Sequence, residues 1–271
     1  MIVFPNCKIN LGLNIIRKRE DGFHDLETVF FPVGLNDALE ILPAQNKTQL
    51  TVSGIYAGNT EDNLCKKAFY LLKKDYPQLP EVNIHLLKAI PLGAGLGGGS
   101  ADAAFTLQLL NKKFNLNIHD EKMYVYALQL GSDCPFFLFN KPCLATSHGE
   151  VLEKVNISLS GYKILLINPG IHISTSEAFS KIKPDIPVKK IKEIIQQPVE
   201  SWKEELHNDF EKHIFEKYSQ IKKIKEELYK NGAVYAAMSG SGSTVFGIFK
   251  KDLMINYSAE PDYFYKLIDV A

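Results

Sequence analysis

The sequence has no excess charge of either sign, because its 31 lysines and arginines equal its 31 aspartates and glutamates. A net charge of zero gives the 271-residue chain no overall attraction to nucleic acid or to an anionic membrane surface, which leaves only a local basic patch as a route to either. Long apolar runs are also missing, since no stretch reaches the roughly 18 residues of a membrane-spanning helix. We therefore expect neither a nucleic acid nor a membrane as a partner.

Cysteine is scarce, and its placement excludes two kinds of site. No two cysteines form a C-x-x-C pair, and no cluster of histidine and cysteine has the spacing of a zinc site. The N-terminal segment mixes polar residues and a proline with its apolar residues, and no basic stretch precedes them, so it is not typical of a secretion signal. We expect a cytoplasmic protein with reduced thiols at Cys7, Cys65, Cys134 and Cys143.

The segment 8–15, KINLGLNI, alternates between apolar and polar residues. This period of two predicts a half-buried strand whose apolar face is formed by every second residue from Ile9 onward. Lys8 and Asn10 fall together on the polar face, with their Cα atoms about 7 Å apart.

Interleaved strands and helices are predicted for most of the remaining chain. Alternating or apolar runs predict strands at 37–42, 48–54, 81–90 and 162–170, and on both sides of a Gly/Ser loop within 233–249. Apolar residues at helical spacing predict helices at 61–76, 100–114, 119–130, 182–206 and 214–232. The segment 132–140 is predicted to be a turn followed by a buried strand. Ser100 is the predicted N-cap of its helix, and Gly131 and Gly232 are the predicted ends of theirs.

The order of these elements indicates the fold class. Strands and helices alternate without strict βαβ regularity, which favours an α+β fold in two units. A chain of 271 residues is long enough for two closely packed domains. The pattern starts afresh after about residue 155, so we predict one domain at 1–155 and a second at 156–271.

The most informative segment is PLGAGLGGGSADAA, in which five of the seven residues 93–99 are glycine. It lies between a predicted strand and the start of a predicted helix, where unpaired N–H groups meet the positive end of the helix dipole. Glycine lets such N–H groups converge on one anion, and phosphate is the natural guest. The candidate nucleotide-binding residues are Pro91, Leu92, Gly93, Ala94, Gly95, Leu96, Gly97, Gly98, Gly99, Ser100 and Ala101.

Other readings of this glycine-rich segment fit less well. Gly93-x-Gly95-x-x-Gly98 satisfies the dinucleotide fingerprint, but the acidic residues about 20 positions later open a helix instead of ending a strand. A Walker A loop needs lysine after its last glycine, whereas Gly98 is followed by Gly99. A close-packed turn without a ligand does not need five glycines. The segment is therefore a third kind of phosphate loop.

The motif P-x-x-x-G-L-G-G-G-S-x-D-A-A resembles the nucleotide loop of the GHMP kinases, the galactokinase, homoserine, mevalonate and phosphomevalonate kinase superfamily. The segments PNCKINLGLNI and AAMSGSGSTVFGIF resemble the N-terminal strand and the C-terminal glycine loop of the same family. The resemblance implies an N-terminal domain like the second domain of ribosomal protein S5, a ferredoxin-like C-terminal domain, and ATP with Mg²⁺ as cofactors.

One branch of the superfamily, the kinases of diphosphocytidyl-methylerythritol in the non-mevalonate route to isoprenoid precursors, is more similar still. The further matching segments are residues 8–30, EDNL at 61–64, GSDCPFF at 131–137 and NDFE at 208–211. The match extends from residue 1 to about 249. It implies phosphorylation of the 2-hydroxyl of that substrate by a monomer or weak homodimer.

This resemblance also implies roles for single residues. Asp133 matches the catalytic aspartate, a candidate general base, and Lys8 matches the catalytic lysine. From the sequence pattern alone, Asp133 is equally an ordinary turn aspartate, and Lys8 a polar strand residue. Asn10 shares the face of Lys8 and is a candidate substrate contact.

The segment DGFHDL is implied to recognise the pyrimidine. Phe23 and His24 stand where the family has a Tyr-His pair that stacks on cytosine and hydrogen-bonds to it, so the ring remains and the phenolic hydroxyl is lost. Thr175 and Phe179 match positions on the other side of the substrate. The alternatives are a turn or packing role for His24 and core packing for Phe179.

The sequence departs from the family pattern at two places, and the first bears on a phosphate or metal contact. Ala101 replaces the usual second serine of the loop, and Asn6-Cys7 replaces the usual Ala-Ala before the lysine. Asp102 is placed either to approach Mg²⁺ or to cap its own helix. The protein ligands of the metal are left open, because ATP phosphates themselves hold most of a Mg²⁺ shell.

Three alternative functions differ from the leading one in testable ways. Another GHMP kinase, for homoserine or a mevalonate derivative, has no cytosine to recognise and hence no use for DGFHDL. A non-catalytic GHMP-fold protein that binds a ligand has no need to keep both Lys8 and Asp133. A dinucleotide oxidoreductase would bind NAD.

Overall fold

The computed structural model describes residues 1–55, 62–257 and 260–270. Glu61, which begins both the predicted helix 61–76 and the EDNL motif, lies outside the described residues. The chain forms two compact units. The first unit comprises Met1–Cys7, Leu35–Leu92 and Gly97–Lys141, and the second comprises Lys8–Gly34, Gly93–Leu96 and Pro142–Ala271. The boundary of the two family domains near residue 155 stays a prediction.

Twelve strands and nine α-helices are present in the described part of the chain. The strands are β1 (Ile2–Val3), β2 (Asn6–Lys18), β3 (His24–Asn36), β4 (Ala38–Pro43), β5 (Gln49–Gly54), β6 (Val82–Lys88), β7 (Cys143–Ser147), β8 (Val151–Lys154), β9 (Tyr162–Asn168), β10 (Tyr235–Met238), β11 (Val245–Lys250) and β12 (Phe264–Asp269). The helices are α1 (Leu64–Asp75), α2 (Gly98–Lys113), α3 (Asp120–Leu130), α4 (Cys134–Phe139), α5 (Thr175–Phe179), α6 (Ile191–Ile194), α7 (Trp202–Glu205), α8 (Glu211–Lys217) and α9 (Ser219–Lys230), with a 3-10 turn at Val199–Ser201.

The first unit packs helices on a four-stranded sheet in the order β1-β4-β6-β5. Strand β6 pairs antiparallel with β4 and parallel with β5, and its apolar residues alternate with polar ones as predicted. Helix α1 begins at Asn63, whose side-chain oxygen accepts a hydrogen bond from the Cys65 N–H at 2.9 Å. Its buried stripe packs, with α2 and α3, on the sheet and forms the core of this unit.

One element of the first unit differs from its predicted type. The apolar segment 132–140, predicted as a turn and strand, contains the short helix α4. A short apolar run fits a buried helix as well as a buried strand, and Pro135 in the first turn is compatible with a helix start because its missing N–H is not needed there.

The second unit contains two four-stranded sheets, in the orders β2-β3-β7-β8 and β10-β11-β9-β12. Strands β9, β10 and β11 pair antiparallel and bury a run of aliphatic side chains against α8 and α9. Helix α9 buries Ile221, Ile224 and Leu228 on one face, and Gly232 follows its end with a φ of +93°.

Three expectations for strands and helices need correction. Strand β2 is buried on both faces as far as Leu13, so it is not the half-buried strand that its alternation predicts. The long helix predicted at 214–232 is two helices, because the chain leaves helical geometry at Tyr218 (φ −122°, ψ 79°). The segment 182–206 forms only the short helices α6 and α7 and the 3-10 turn.

The start of α2 also differs from the prediction. Gly97, not Ser100, is its N-cap, and no side chain caps this helix. Among the described residues, no helix has both the length and the apolar character needed to cross a membrane.

Candidate active site

The glycine run has the backbone geometry of an anion cradle. Gly93, Gly95 and Gly97 have φ values of +62°, +76° and +70°, whereas Ala94 and Leu96 between them do not have positive φ. Such alternation turns successive N–H groups toward one side, which is how backbone nests bind anions. Helix α2 begins directly after Gly97 and adds its unpaired N–H groups and the positive end of its dipole.

In the second unit, the first half of the glycine run is held by the loop between β10 and β11. The Ser239 hydroxyl donates to the Gly95 carbonyl at 2.9 Å, and the Thr244 N–H donates to the Ala94 carbonyl at 3.2 Å. A Cβ on Gly95 would lie 2.0 Å from the Ser239 carbonyl oxygen, so only glycine fits here. The C-terminal glycine loop therefore holds the glycine run by one side-chain and one backbone hydrogen bond.

Asn208, in the NDFE segment, fixes that supporting loop. Its Nδ2 donates to the carbonyl oxygens of Met238 and Gly240, both at 2.8 Å, and the side chain is buried. The sequence motif includes this asparagine but assigns it no role. In the structure it stabilises the loop between β10 and β11.

Lys8 and Asn10 lie side by side on β2, as the alternation predicts. The Lys8 ammonium donates to the Asn10 Oδ1 at 2.7 Å and lies 4.7 Å from the centre of the Phe30 ring. Asn10 Nδ2 in turn donates to the Thr28 hydroxyl at 3.0 Å. Both ends of the Asn10 amide therefore have protein partners, and its clearest structural role is to orient Lys8.

Asp133 belongs to the first unit, immediately before α4. It occupies the N-cap position with φ −82° and ψ −16°, and its side chain makes no capping hydrogen bond to the helix. The carboxyl group is half-buried. Capping of α4 therefore does not explain this residue.

His24 and Phe179 are brought into direct contact in the second unit. Their rings are stacked, with centroids 4.7 Å apart and planes inclined at 24°, and Phe179 also meets the core residue Phe210 edge-on at 4.9 Å. Burial, with a smaller effect of the Lys18 charge, lowers the pKa of His24. A lowered pKa keeps this imidazole neutral at pH 7, with one nitrogen donating and the other accepting.

The two other residues predicted near the substrate are exposed. Phe23 keeps 62% of its surface accessible and rests on the His148 ring, with centroids 4.9 Å apart. Thr175 is the first residue of α5, whose start is capped by the Ser174 hydroxyl. Both are therefore free to meet a ligand.

A cavity of about 430 Å³ opens beside Gly99 in the first unit. Its wall is apolar at Val52, Leu64 and Leu92 and polar at Asp62, Asn63, Lys88 and Asp102. A cavity with an apolar side and a few polar groups, next to the glycine run, has the character of a small-molecule site.

A buried charge cluster beside this cavity was missed by the sequence analysis. The Lys88 ammonium donates to the Asp102 carboxylate at 2.7 Å and to the Asp37 carboxylate, and all three side chains are buried. Burial raises the pKa of Asp102 to about 7 against the opposing effect of Lys88. Burial lowers the pKa of Lys88, but the two carboxylates outweigh it and raise that pKa.

This cluster also answers part of the question about Asp102. Its Oδ2 accepts a hydrogen bond from Lys88, and no side chain caps α2, so Asp102 does not cap its own helix. An approach of Asp102 to Mg²⁺ stays a prediction. Within the described ranges, no group of three or more histidine, cysteine, aspartate or glutamate side chains is arranged to hold a metal ion.

Two family models match this chain. The GHMP kinases N terminal domain matches residues 63–141, and the GHMP kinases C terminal domain matches residues 190–254, together more than half of the chain. With the glycine cradle and the mixed helices and strands, these matches confirm the predicted two-domain α+β fold of the GHMP kinases.

Relatives define the branch within that class. A 4-diphosphocytidyl-2-C-methyl-D-erythritol kinase of Bacteroides fragilis is 55% identical over 256 residues, which is 93% of each chain. The enzyme of the same name from Cytophaga hutchinsonii is 52% identical over 92% of each chain. A crystal structure of 4-(cytidine 5'-diphospho)-2C-methyl-D-erythritol kinase superposes with a TM-score of 0.76 and 32% identity, covering 91% of this chain and 89% of the other. The chain belongs to the 4-diphosphocytidyl-2-C-methyl-D-erythritol kinase family.

Proposed function

We propose that this protein is a cytoplasmic ATP-dependent kinase that phosphorylates the 2-hydroxyl of 4-diphosphocytidyl-2-C-methyl-D-erythritol, in the non-mevalonate route to isoprenoid precursors. The observation that carries the proposal is 55% identity to a kinase of that name over 93% of both chains. It acts as a monomer or weak homodimer on a small molecule, and its family domains are 1–155 and 156–271.

The glycine run holds the triphosphate of ATP. Its alternating left-handed glycines and the start of α2 present N–H groups to the phosphate oxygens. The Ser100 hydroxyl adds a donor in the first turn of the helix, and the cavity beside Gly99 receives the base. Mg²⁺ bound to the phosphates neutralises the charge that develops on them, and no residue is assigned as its ligand.

Asp133 acts as the general base for the acceptor. Its carboxylate takes the proton of the 2-hydroxyl as that oxygen bonds to the γ-phosphorus and the bond to the β-phosphate oxygen breaks, which releases ADP. Lys8 stabilises the negative charge on the attacking oxygen. The hydrogen bond from Lys8 to Asn10 fixes the ammonium in place, so little reorganisation is needed during the reaction.

The pyrimidine of the substrate is held at the ring cluster of the second unit. Neutral His24 offers one donor and one acceptor, which complement the acceptors and the amino group of cytosine. Phe23, Phe179 and Thr175 line this site, with the exposed Phe23 ring as a stacking surface. The lost tyrosine hydroxyl of the family is not needed for stacking.

The ³¹P NMR spectrum of the product tests the position of transfer. The carbon at position 2 carries a methyl group and no hydrogen, so a phosphate there gives a phosphomonoester signal without three-bond coupling to a proton. Transfer to the primary or the secondary hydroxyl would instead give a triplet or a doublet. Either of those, or no new signal, contradicts the proposed reaction.

A further inference from the structure

Asp37 binds three consecutive residues at the end of β6. Its Oδ1 accepts hydrogen bonds from the N–H groups of Ala89 and Ile90, at 2.6 and 2.9 Å, and its Oδ2 accepts one from the Lys88 ammonium. The Asp37 side chain is fully buried. These three residues directly precede Pro91 and the glycine run, so Asp37 fixes the chain at the point where it enters the loop.

Lys88 connects the end of β6 to helix α2, on the other side of the glycine run. Its ammonium binds Asp102, which lies five residues into the helix that follows the run. The helix start also packs on the strand end, since a Cβ on Gly98 would lie 2.8 Å from Ile90 Cγ2 and 3.4 Å from the Lys88 nitrogen. One buried ammonium thus joins the residue before the loop to the helix after it.

Stability alone does not account for this cluster. Burying a lysine and two carboxyl groups has a large desolvation penalty, and apolar side chains of similar volume often give equal or greater stability. The cluster is also incompletely paired, because Asp102 Oδ1 is buried and has no hydrogen-bond partner among the described residues. A geometric role explains why charged groups are nevertheless used here.

We propose that Asp37, Lys88 and Asp102 form an ionic clamp that sets the distance between the two ends of the glycine run and so pre-organises it for the phosphates of ATP. The inference rests on the proposed binding of ATP at this run. Asp37 acts through Lys88 and the backbone, which makes it a positioning residue. Without the clamp, the ends of the glycine run must be ordered during binding. Only the molecules already in the binding geometry then bind ATP, so the apparent affinity falls in proportion to their fraction.

Asp37→Asn tests the clamp with a minimal change. The amide oxygen still accepts from the Ala89 and Ile90 N–H groups, but its NH₂ group faces the Lys88 ammonium, so the ionic link is lost. The matched control is Glu81→Gln at the opposite end of β6, where Glu81 accepts from the Thr48 N–H and hydroxyl and pairs with Lys73. Both variants remove one carboxylate charge that is paired with lysine in the first unit.

Mg-ATP affinity is measured by isothermal titration calorimetry, and KM for the alcohol substrate by ADP release. We expect Asp37→Asn to raise the Kd for Mg-ATP about tenfold or more, the effect of losing a charge-assisted hydrogen bond, with KM for the alcohol within about twofold of the wild type. Glu81→Gln should leave both values unchanged. Asp102→Asn keeps a hydrogen bond from the Lys88 ammonium but to an uncharged acceptor, so it should raise the Kd about fivefold even if Asp37→Asn does not fold.

Equal Kd values for Mg-ATP in the wild type, Asp37→Asn and Asp102→Asn would overturn the clamp and leave the kinase proposal intact. Parallel losses of ATP and alcohol affinity would also overturn it, because they indicate a general loss of structure. No binding of Mg-ATP by the folded wild-type protein would reject the proposed function together with the clamp.

Discussion

The imidazole of His24 lies stacked on the ring of Phe179, with 4.7 Å between the centroids. Two rings at this spacing leave no room for a third, since a base inserted between them needs a separation of about 7 Å, twice the contact distance. At the proposed pyrimidine site, the base would therefore stack outside this pair, or the pair would separate when substrate binds. The proposal places the base in contact with His24.

His24→Ala should therefore raise KM for the diphosphocytidyl substrate by about 10-fold to 100-fold, the usual range for losing a base contact of 1–3 kcal/mol. KM for ATP should stay within about twofold, because ATP phosphates bind at the glycine run. Steady-state kinetics with each substrate varied in turn measures the split. His119→Ala, an exposed histidine at the start of α3, is the control. Equal losses for both substrates would remove His24 from pyrimidine recognition.

Asp133→Asn should lower kcat by at least about 100-fold, because a general base contributes about 10²–10⁴-fold. The melting temperature of the variant is measured alongside, to show that the protein remains folded. Rapid-quench measurement of a single turnover reports the chemical step directly. Asp120→Asn, in the first turn of α3, is the control for loss of a carboxylate next to a helix start. Turnover near the wild-type rate would show that another group takes the proton.

Gly99→Val should weaken Mg-ATP binding by about 10-fold to 100-fold without unfolding the protein. The valine side chain would crowd the backbone N–H groups at the start of α2 that are proposed to bind the phosphate oxygens of ATP. A Cβ at Gly99 meets only Leu64, at 3.8 Å, so the fold has room for it. Gly98 is a poorer test, because a Cβ there collides with Ile90 at 2.8 Å. Gly34→Val, at which the nearest atom is also 3.8 Å away, is the matched control. An unchanged Kd for ATP would contradict the phosphate-loop assignment.

Asp102 should make stability depend on pH in a direction opposite to most carboxylates. Its folded-state pKa of about 7 lies above the ordinary value of 3.8, so the folded state holds a proton that the unfolded state has lost. Its contribution to stability is therefore lost as pH rises from about 4 to 7. Asp102→Asn removes this dependence. The melting temperature of the variant minus that of the wild type should therefore be higher at pH 8 than at pH 5. Differential scanning calorimetry at both values checks this, and a difference that is independent of pH would show that Asp102 keeps an ordinary pKa.

Local features of the site were predictable, and long-range ones were not. The glycine run and the pairing of Lys8 with Asn10 follow from glycine content and a period of two along one short segment. The link from Asp37 to Lys88 joins residues 51 positions apart, and no local pattern indicates that two distant charges share one buried site. Strand β3 was missed for a related reason, because its burial alternates only from Phe31 onward and its partner β7 lies more than 100 residues away. Helix α4 was misassigned because six apolar residues fit either kind of element.

The most direct test of the proposed reaction is ADP release by the purified protein with Mg-ATP and each of three alcohols: 4-diphosphocytidyl-2-C-methyl-D-erythritol, homoserine and mevalonate. We predict turnover with the diphosphocytidyl substrate alone, because only that substrate has a base for His24 to bind. Turnover with homoserine or mevalonate in its place would keep the kinase and reject the pyrimidine site. A folded protein that binds ATP and turns over none of the three would contradict the assignment of Lys8 and Asp133 as catalytic residues.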